Sequence, residues 1–135
     1  MANKWTEKII RQWIEEQIEL NPGASLEKLR QTEEAVDFLF PAQFNELYLL
    51  VNGFKDNDWR VNMFSIWPLD TIVEEYHSKK DKNFVGFSDF LINSHQIGFT
   101  KDRSGIFKYY TTPEYIADTF EQALLLINTD SDIIY

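Results

Sequence analysis

The chain has 135 residues, no cysteine, and a formal net charge of −9 from 22 acidic and 13 basic residues. That length suits one domain, and a hydrophobic content of 44% excludes the composition of a disordered chain. The absence of cysteine excludes disulfides, thiolate metal sites and a cysteine nucleophile. The acidity is spread along the chain and disfavours nucleic acid as a partner; it either keeps the protein soluble or attracts a basic partner.

The first third of the chain is predicted to be helical. Apolar residues at four-residue spacing indicate an amphipathic helix over Trp5 to Leu20, ended by the Asn-Pro-Gly at 21–23. Ser25 is a suitable N-cap for a second helix that reaches about Phe38. Pro41 opens a third helix, which Asn52-Gly53 is expected to close with Gly53 as a left-handed cap.

The remainder of the chain changes to the alternation that is typical of strands. Strands are predicted over 62–67, 84–91, 96–100, 106–110 and 115–117, with one helix inserted after Pro68 and a turn at 102–105. Thr119 and Gln122 have capping-box spacing at the start of a final helix over 120–127. The pattern predicts one α+β domain over residues 1–135: N-terminal helices, a mostly antiparallel sheet of about four to six strands, and a C-terminal helix packed on that sheet.

Motifs for catalysis or metal binding are weak. Glu74 and His77 have Glu-x-x-His spacing, but a di-iron site needs a second copy of this motif with further ligands. Asp56-Asn57-Asp58 lacks the glycine that a calcium loop requires at its sixth position. Adjacent residues on a strand point to opposite faces, so Ser94-His95 is not a nucleophile–base pair, and His95 is predicted at a strand edge or in a loop.

We therefore predict no catalytic residue, no metal site and no cofactor, and we expect the protein not to be an enzyme. An unrecognised carboxylate pair remains the one enzymatic alternative, because 22 acidic residues allow many such pairs in three dimensions. The chain also has no uninterrupted apolar stretch that suits a signal peptide or a membrane span. We expect a cytoplasmic protein with no membrane partner.

Trp59 is unusual among the aromatic residues because its neighbours are Asp58 and Arg60 in a predicted loop. Either it packs down as a lid over the core, or it is an exposed anchor of the kind that dominates protein–protein hot spots. The acidic residues before it favour a surface that attracts a basic protein. Asp56, Asp58, Trp59 and Asp89 are the predicted partner-binding residues.

The order of these elements resembles the SUKH superfamily, which includes domains similar to fungal cell-wall-assembly regulators and many bacterial immunity proteins. The resemblance covers roughly residues 25 to 128. It is carried by the Pro41 helix with Asn52-Gly53, the phrase Phe64-Ser65-Ile66-Trp67-Pro68-Leu69, the strands Phe87-Ser88-Asp89-Phe90-Leu91 and Ile97-Gly98-Phe99, and the helix after Thr119-Phe120.

The resemblance implies a protein-binding role without catalysis. An immunity protein of this superfamily binds a cognate toxin domain and blocks it, so the implied partner is a protein, possibly a basic toxin domain. A regulatory scaffold with the same fold and no toxin partner is the alternative. A toxin gene in the neighbouring reading frames would favour the immunity role.

Overall fold

Five helices and seven strands make up the fold, which we describe from a computed structural model over residues 4–135, apart from the side chain of Asn57. Two single-turn 3₁₀ segments, Lys55–Asn57 and Asp132–Ile134, complete it. The elements are, in chain order, α1 Lys4–Glu15, β1 Leu20–Pro22, α2 Leu26–Val36, α3 Ala42–Tyr48, β2 Val51–Phe54, β3 Phe64–Ile66, α4 Leu69–Ser78, β4 Phe84–Phe90, β5 His95–Thr100, β6 Arg103–Tyr109, β7 Pro113–Ala117 and α5 Phe120–Asn128.

The predicted α+β class is confirmed. Strands β3 to β7 form one antiparallel sheet in which each strand pairs with its neighbours in sequence. The sheet has five strands, within the predicted range, and α4 is the helix inserted between β3 and β4. The hairpin between β5 and β6 is tighter than predicted: Thr100 pairs with Arg103, so Lys101 and Asp102 alone form the connection.

The prediction of a first helix through Leu20 is wrong. Helix α1 ends at Glu15, and Gln17 takes a left-handed conformation with φ of 62°. The Gln17 N–H donates to the carbonyl of Ile14 at 3.0 Å and the Ile18 N–H to that of Trp13 at 3.1 Å. This is a Schellman motif, in which glycine normally takes the left-handed position. Glutamine gives no such signal in the sequence.

Asn52 and Gly53 do not close helix α3, which ends at Tyr48; they lie in strand β2 instead. Strand β2 pairs with β1 in a small second sheet that was not predicted. Gly53 does have a left-handed φ, of 68°, and an added Cβ would lie 2.4 Å from the carbonyl carbon of Trp67. The Asn52 side chain accepts a hydrogen bond from the N–H of Leu69 at 2.8 Å, which satisfies a free donor at the start of α4.

Aromatic rings fill the core between the sheet and the helices. Phe120 of α5 lies 5.0 Å from Phe87 and 5.2 Å from Phe44, measured between ring centroids. Phe87 in turn lies 5.3 Å from Phe99. Helix α5 therefore packs on the sheet as predicted, and truncating any of these rings to alanine should cost about 3–5 kcal/mol.

Candidate functional site

The segment from residue 55 to 63, here called the Trp59 loop, connects β2 to β3 and is held by hydrogen bonds along its length. The N–H of Lys55 donates to the carbonyl of Glu19 at 2.8 Å. The Asp58 carboxylate accepts from the N–H of Glu19 at 2.9 Å, and the Asp58 carbonyl accepts from the hydroxyl of Ser65 at 2.8 Å. The loop is thus tied to Glu19, the residue before β1, on one side and to β3 on the other.

Arg60 anchors the same loop from beneath. Its side chain is only 4% exposed, and it donates two hydrogen bonds of 2.8 Å to the two carboxylate oxygens of Glu16. It also donates to the carbonyl of Ile127 at 2.6 Å, at the C-terminal end of α5 where carbonyls lack partners within the helix. The Arg60 hydrogen bonds hold the pKa of Glu16 below its usual value, against an opposing effect of burial. One side chain therefore joins the Trp59 loop to α1 and α5.

A cleft of about 440 Å³ opens beside the loop, where β3, α4 and the β4–β5 turn meet. We call it the Trp59–Asp89 cleft. Its walls contain two indole rings, two carboxylates, an aliphatic side chain and several neutral polar groups: Trp59, Ser65, Trp67, Thr71, Glu75, Asp89, Ile92 and Asn93. A cleft with aromatic walls and convergent polar groups is the usual form of a binding site.

Asp89 lies at the base of the cleft and is 9% exposed. Its carboxylate accepts a hydrogen bond from Trp67 Nε1 at 2.9 Å and another from the N–H of Asn93 at 2.8 Å. Register explains its position, because Ser65, Asp89 and Gln96 are cross-strand partners on β3, β4 and β5 and share one face of the sheet. A polar row therefore crosses the sheet opposite the face that carries the aromatic core.

Glu75 brings a second carboxylate to the cleft from α4. It accepts a hydrogen bond from Gln96 Nε2 at 3.1 Å, and the same amide donates to the Asn93 side chain at 3.0 Å. Within residues 4–135, neither Glu75 nor Asp89 has a basic group within 4.0 Å. The cleft thus contains two carboxylates whose hydrogen-bond donors are all neutral.

Exposed apolar side chains lie on the two segments that border the cleft, the Trp59 loop and the β4–β5 turn. We call this set the Trp59 surface; its side chains are exposed although all are apolar or aromatic, and they are Trp59, Val61, Met63, Leu91 and Ile92. Val61 is 86% exposed and Ile92 is 73% exposed. The two segments meet, since the N–H of Leu91 donates to the carbonyl of Met63 at 3.0 Å. Neighbouring exposed apolar side chains make this surface the candidate for an interaction site.

The β4–β5 turn that carries Leu91 and Ile92 is strained. Leu91, Ile92 and Asn93 have φ values of 50°, 52° and 67°, a left-handed conformation that asparagine tolerates and a β-branched side chain resists. The Asp89 carboxylate stabilises this conformation through the N–H of Asn93. Backbone strain of this kind concentrates at binding and active sites.

The structure brings two of the four predicted site residues together. Trp59 and Asp89 line one cleft, and Trp59 is a partly exposed wall of that cleft instead of a lid over the core. Asp58 lies next to the cleft, but its carboxylate is used within the chain by the backbone of Glu19 and Trp59. Asp56 is exposed outside the cleft, with φ of 54°.

Sequence reasoning missed Trp67 and Glu75. Trp67 belongs to an apolar phrase that is typical of core, and Glu75 belongs to a helix with several charged residues. A sequence signal existed for neither, because their meeting depends on the packing of α4 against β4, the strand that carries Asp89. Gly86 contributes as well: a Cβ there would lie 3.2 Å from Trp67 Cζ3, so the indole packs against bare backbone.

His95 was predicted at a strand edge or in a loop, and this is wrong. It is the first residue of β5, a strand with neighbours on both sides, and it is 2% exposed. Its Nε2 lies 2.8 Å from the carbonyl of Ile134, and its Nδ1 has no partner in the described part of the chain. Burial lowers the pKa of His95, so the ring is neutral and Nε2 carries the hydrogen that bonds to the carbonyl.

Other features of residues 4–135 point to no second site. A larger cavity of about 570 Å³ lies between the 38–43 segment and the β5–β6 hairpin, but three of its charged residues, Asp102, Arg103 and Asp118, are exposed, and the fourth, Lys101, donates to the hydroxyl of Tyr76. Glu74 and His77 are both exposed on α4. No cluster of three or more potential metal ligands occurs among the described residues, and no helix among them is long and apolar enough to span a bilayer.

Comparison with known proteins places the chain in a family. No curated protein matches it. The model of the SMI1 / KNR4 family (SUKH-1) matches residues 23–130, which include α2 to α5, every strand except β1, and every residue of the Trp59–Asp89 cleft. The match spans well over half of the sequence and agrees with the resemblance in motifs and element order. The chain therefore belongs to the SMI1 / KNR4 (SUKH-1) family.

Proposed function

We propose that this chain is a protein-binding module of the immunity type, which binds a basic toxin domain through the Trp59 surface and neutralises it. The observation that carries the proposal is the Trp59 surface itself: five exposed apolar or aromatic side chains on the two segments that border a cleft with two carboxylates. Membership of the SUKH-1 family is compatible with this role. The proposal assigns no catalytic step to the chain.

The Trp59 surface has the composition of an interface centre. Aromatic residues and methionine are enriched at such centres, and a tryptophan surrounded by apolar neighbours is the usual hot spot. A net charge of −9 favours a basic partner, because complementary charge speeds encounter and disfavours acidic competitors. Asp56 lies exposed on the same loop and adds to that attraction.

The test is affinity capture from cells of the source organism followed by a neutralisation assay. We expect wild-type chain to retain a stoichiometric basic protein that is toxic when expressed alone, and co-expression of the chain to restore growth. Trp59→Ala should weaken the complex by about 2 kcal/mol, close to thirtyfold in Kd. Leu39→Ala is the matched control, since Leu39 is 80% exposed but lies at the other cavity.

Charge reversal separates steering from contact. Asp56→Lys should lower the association rate at low salt more than at high salt, because surface attraction is screened within a Debye length of about 8 Å at physiological ionic strength. Glu34→Lys, an exposed change on α2, is the control. Capture of a non-toxic housekeeping protein that depends on Trp59 would contradict the immunity role and favour the regulatory scaffold. A toxin complex that is indifferent to Trp59→Ala would refute the site.

A further inference from the structure

We propose that the Trp59–Asp89 cleft receives the guanidinium group of one arginine side chain of the protein partner. This inference rests on the proposed function, since it names the group that enters the Trp59 surface. It is tested on the isolated chain, so that its failure is distinguishable from the failure of the proposed function.

The carboxylates of the cleft provide the charge. Asp89 is more than nine-tenths buried, and its hydrogen-bond donors are an indole and a backbone N–H, both neutral. A carboxylate has about four acceptor positions, so two remain available at Asp89 and others at Glu75. An acidic or neutral side chain that enters the cleft would displace water from these carboxylates, and their hydration free energy would be lost without compensation. A cation would compensate that loss by its attraction to the two negative charges.

Among residues 4–135, no cation forms an ion pair with either carboxylate. Lys79 is the lysine closest to this network, but its ammonium donates to Gln96 Oε1 and lies 5.7 Å from the ring centre of Phe84. It is not among the residues that line the cleft, and it forms no ion pair with Glu75. Gln96 therefore lies between Lys79 and Glu75, so Lys79 attracts Glu75 only across that amide and leaves direct contact with the two carboxylates to a cation from a partner.

The indole rings select a guanidinium over an ammonium. Trp59 is a wall of the cleft with its ring partly exposed, and Trp67 forms the floor against Gly86. Cations are attracted to indole faces, and arginine is the side chain most often found there. Its guanidinium is planar, weakly hydrated and able to fork onto carboxylates, whereas the lysine ammonium is compact and strongly hydrated. A site that offers indole faces and two carboxylates therefore fits arginine best.

The experiment is an NMR titration of the full chain, which follows the four indole N–H resonances after assignment with single Trp→Phe variants. The probes are N-acetyl-arginine amide, N-acetyl-lysine amide and the N-acetyl amide of citrulline, which is nearly isosteric with arginine but uncharged. We expect saturable shifts of Trp59 and Trp67 with arginine, a response to lysine several-fold weaker, and none to citrulline. Trp5 and Trp13, which contact α3 and α5, should not move.

Two variants test the carboxylates. Glu75→Gln keeps an acceptor for Gln96 and should weaken arginine binding roughly fivefold, as expected for loss of one charge partner in a partly exposed site. Asp89→Asn should weaken it further. Glu34→Gln, an exposed change of the same charge on α2, should have no effect. Because Asp89 is buried and its variant risks misfolding, Glu75→Gln keeps the test decisive.

The outcomes are separate from those of the capture experiment. Equal shifts with citrulline, equal or stronger binding of lysine, or arginine binding unaffected by Glu75→Gln would each overturn the inference. A toxin complex that depends on Trp59, formed by a chain whose cleft indoles do not respond to arginine, would overturn the inference and leave the proposed function intact. A saturable arginine response in a chain that binds no toxin would support the cleft chemistry and contradict the proposed function.

Discussion

Replacing Arg60 with methionine tests how the Trp59 loop is held. Methionine keeps an apolar stem but removes the guanidinium, so the Glu16 carboxylate keeps only its hydrogen bond from Gln12 and the Ile127 carbonyl loses its charged donor. Breaking a buried charge pair from one side costs about 3–5 kcal/mol. Glu16 is partly exposed, so water replaces some of the lost interaction and we expect the lower end, about 3 kcal/mol. For a chain of this length that corresponds to a fall in Tm of about 10 °C.

The assay is equilibrium unfolding in urea, followed by far-UV circular dichroism, on a double-mutant cycle. Glu16→Gln combined with Arg60→Met should be much less destabilised than the sum of the single variants, with a coupling of about 1.5–3 kcal/mol for a hydrogen-bonded charge pair. Arg103→Met is the control, because its guanidinium is exposed and lies 4.6 Å from the Phe107 ring, an interaction worth about 0.5–1 kcal/mol. Additive losses, or an Arg60→Met cost below that of Arg103→Met, would refute the reasoning.

The same pair predicts a pH dependence. Arg60 lowers the pKa of Glu16, so its contribution to stability is complete above the usual carboxyl pKa and is lost as pH falls through the lowered value. The acid limb of the stability profile, below roughly pH 5, should therefore be shallower in Arg60→Met than in wild type. An unchanged limb would show that the hydrogen bonds to Glu16 contribute nothing to folding.

Three further changes follow from the described geometry. Gly53→Ala would place a Cβ 2.4 Å from the Trp67–Pro68 backbone at a residue with a left-handed φ. It should lower the free energy of unfolding by about 3 kcal/mol in a denaturant titration, and a neutral effect would contradict the close approach. Thr119→Ala removes the hydroxyl that accepts from the N–H of Gln122 and should cost about 1 kcal/mol by the same assay, whereas no loss would mean that the cap is replaced by water. Burial lowers the pKa of His95; Lys108 reinforces that shift, whereas the Ile134 carbonyl and Asp89 oppose it. The contribution of His95 to stability should therefore be constant above about pH 6.5 and fall as the pH drops below it. In a series of Tm measurements against pH, His95→Gln should abolish this fall and the control His77→Gln should keep it.

The sequence predicted those elements whose cause is local. Alternation of apolar residues located the five strands of the main sheet to within a few residues, and the Thr119 hydroxyl does cap α5. The capping box itself is altered, because the Gln122 side chain accepts from the N–H of Asp118 instead of Thr119. Helix α1 ends five residues before its predicted end at Leu20, and α2 ends about two residues before its predicted end near Phe38. Gln17 and Asp37 take the left-handed conformation after these helices, and caps formed by residues other than glycine carry no compositional signal.

The site was only half predictable for a related reason. Trp59 stood out because an aromatic residue in a polar loop is unusual, and Asp89 lay in an otherwise apolar strand. Trp67 and Glu75 are ordinary in their own segments, and only tertiary packing places them beside Asp89. Asp58 was assigned to the partner but serves the backbone, which is typical of an aspartate in a loop where N–H groups need acceptors.

The anchoring of the Trp59 loop has a kinetic consequence for any complex it forms. Ordering a free loop on binding costs about 1–2 kcal/mol per residue in backbone entropy, and this cost slows association when ordering is part of the encounter. Here the ordering is completed during folding, through Arg60, Asp58 and Ser65. Association should therefore follow a single exponential whose rate is set by diffusion and charge, with no slower step of loop rearrangement, and affinity differences among partners should reside in the dissociation rate.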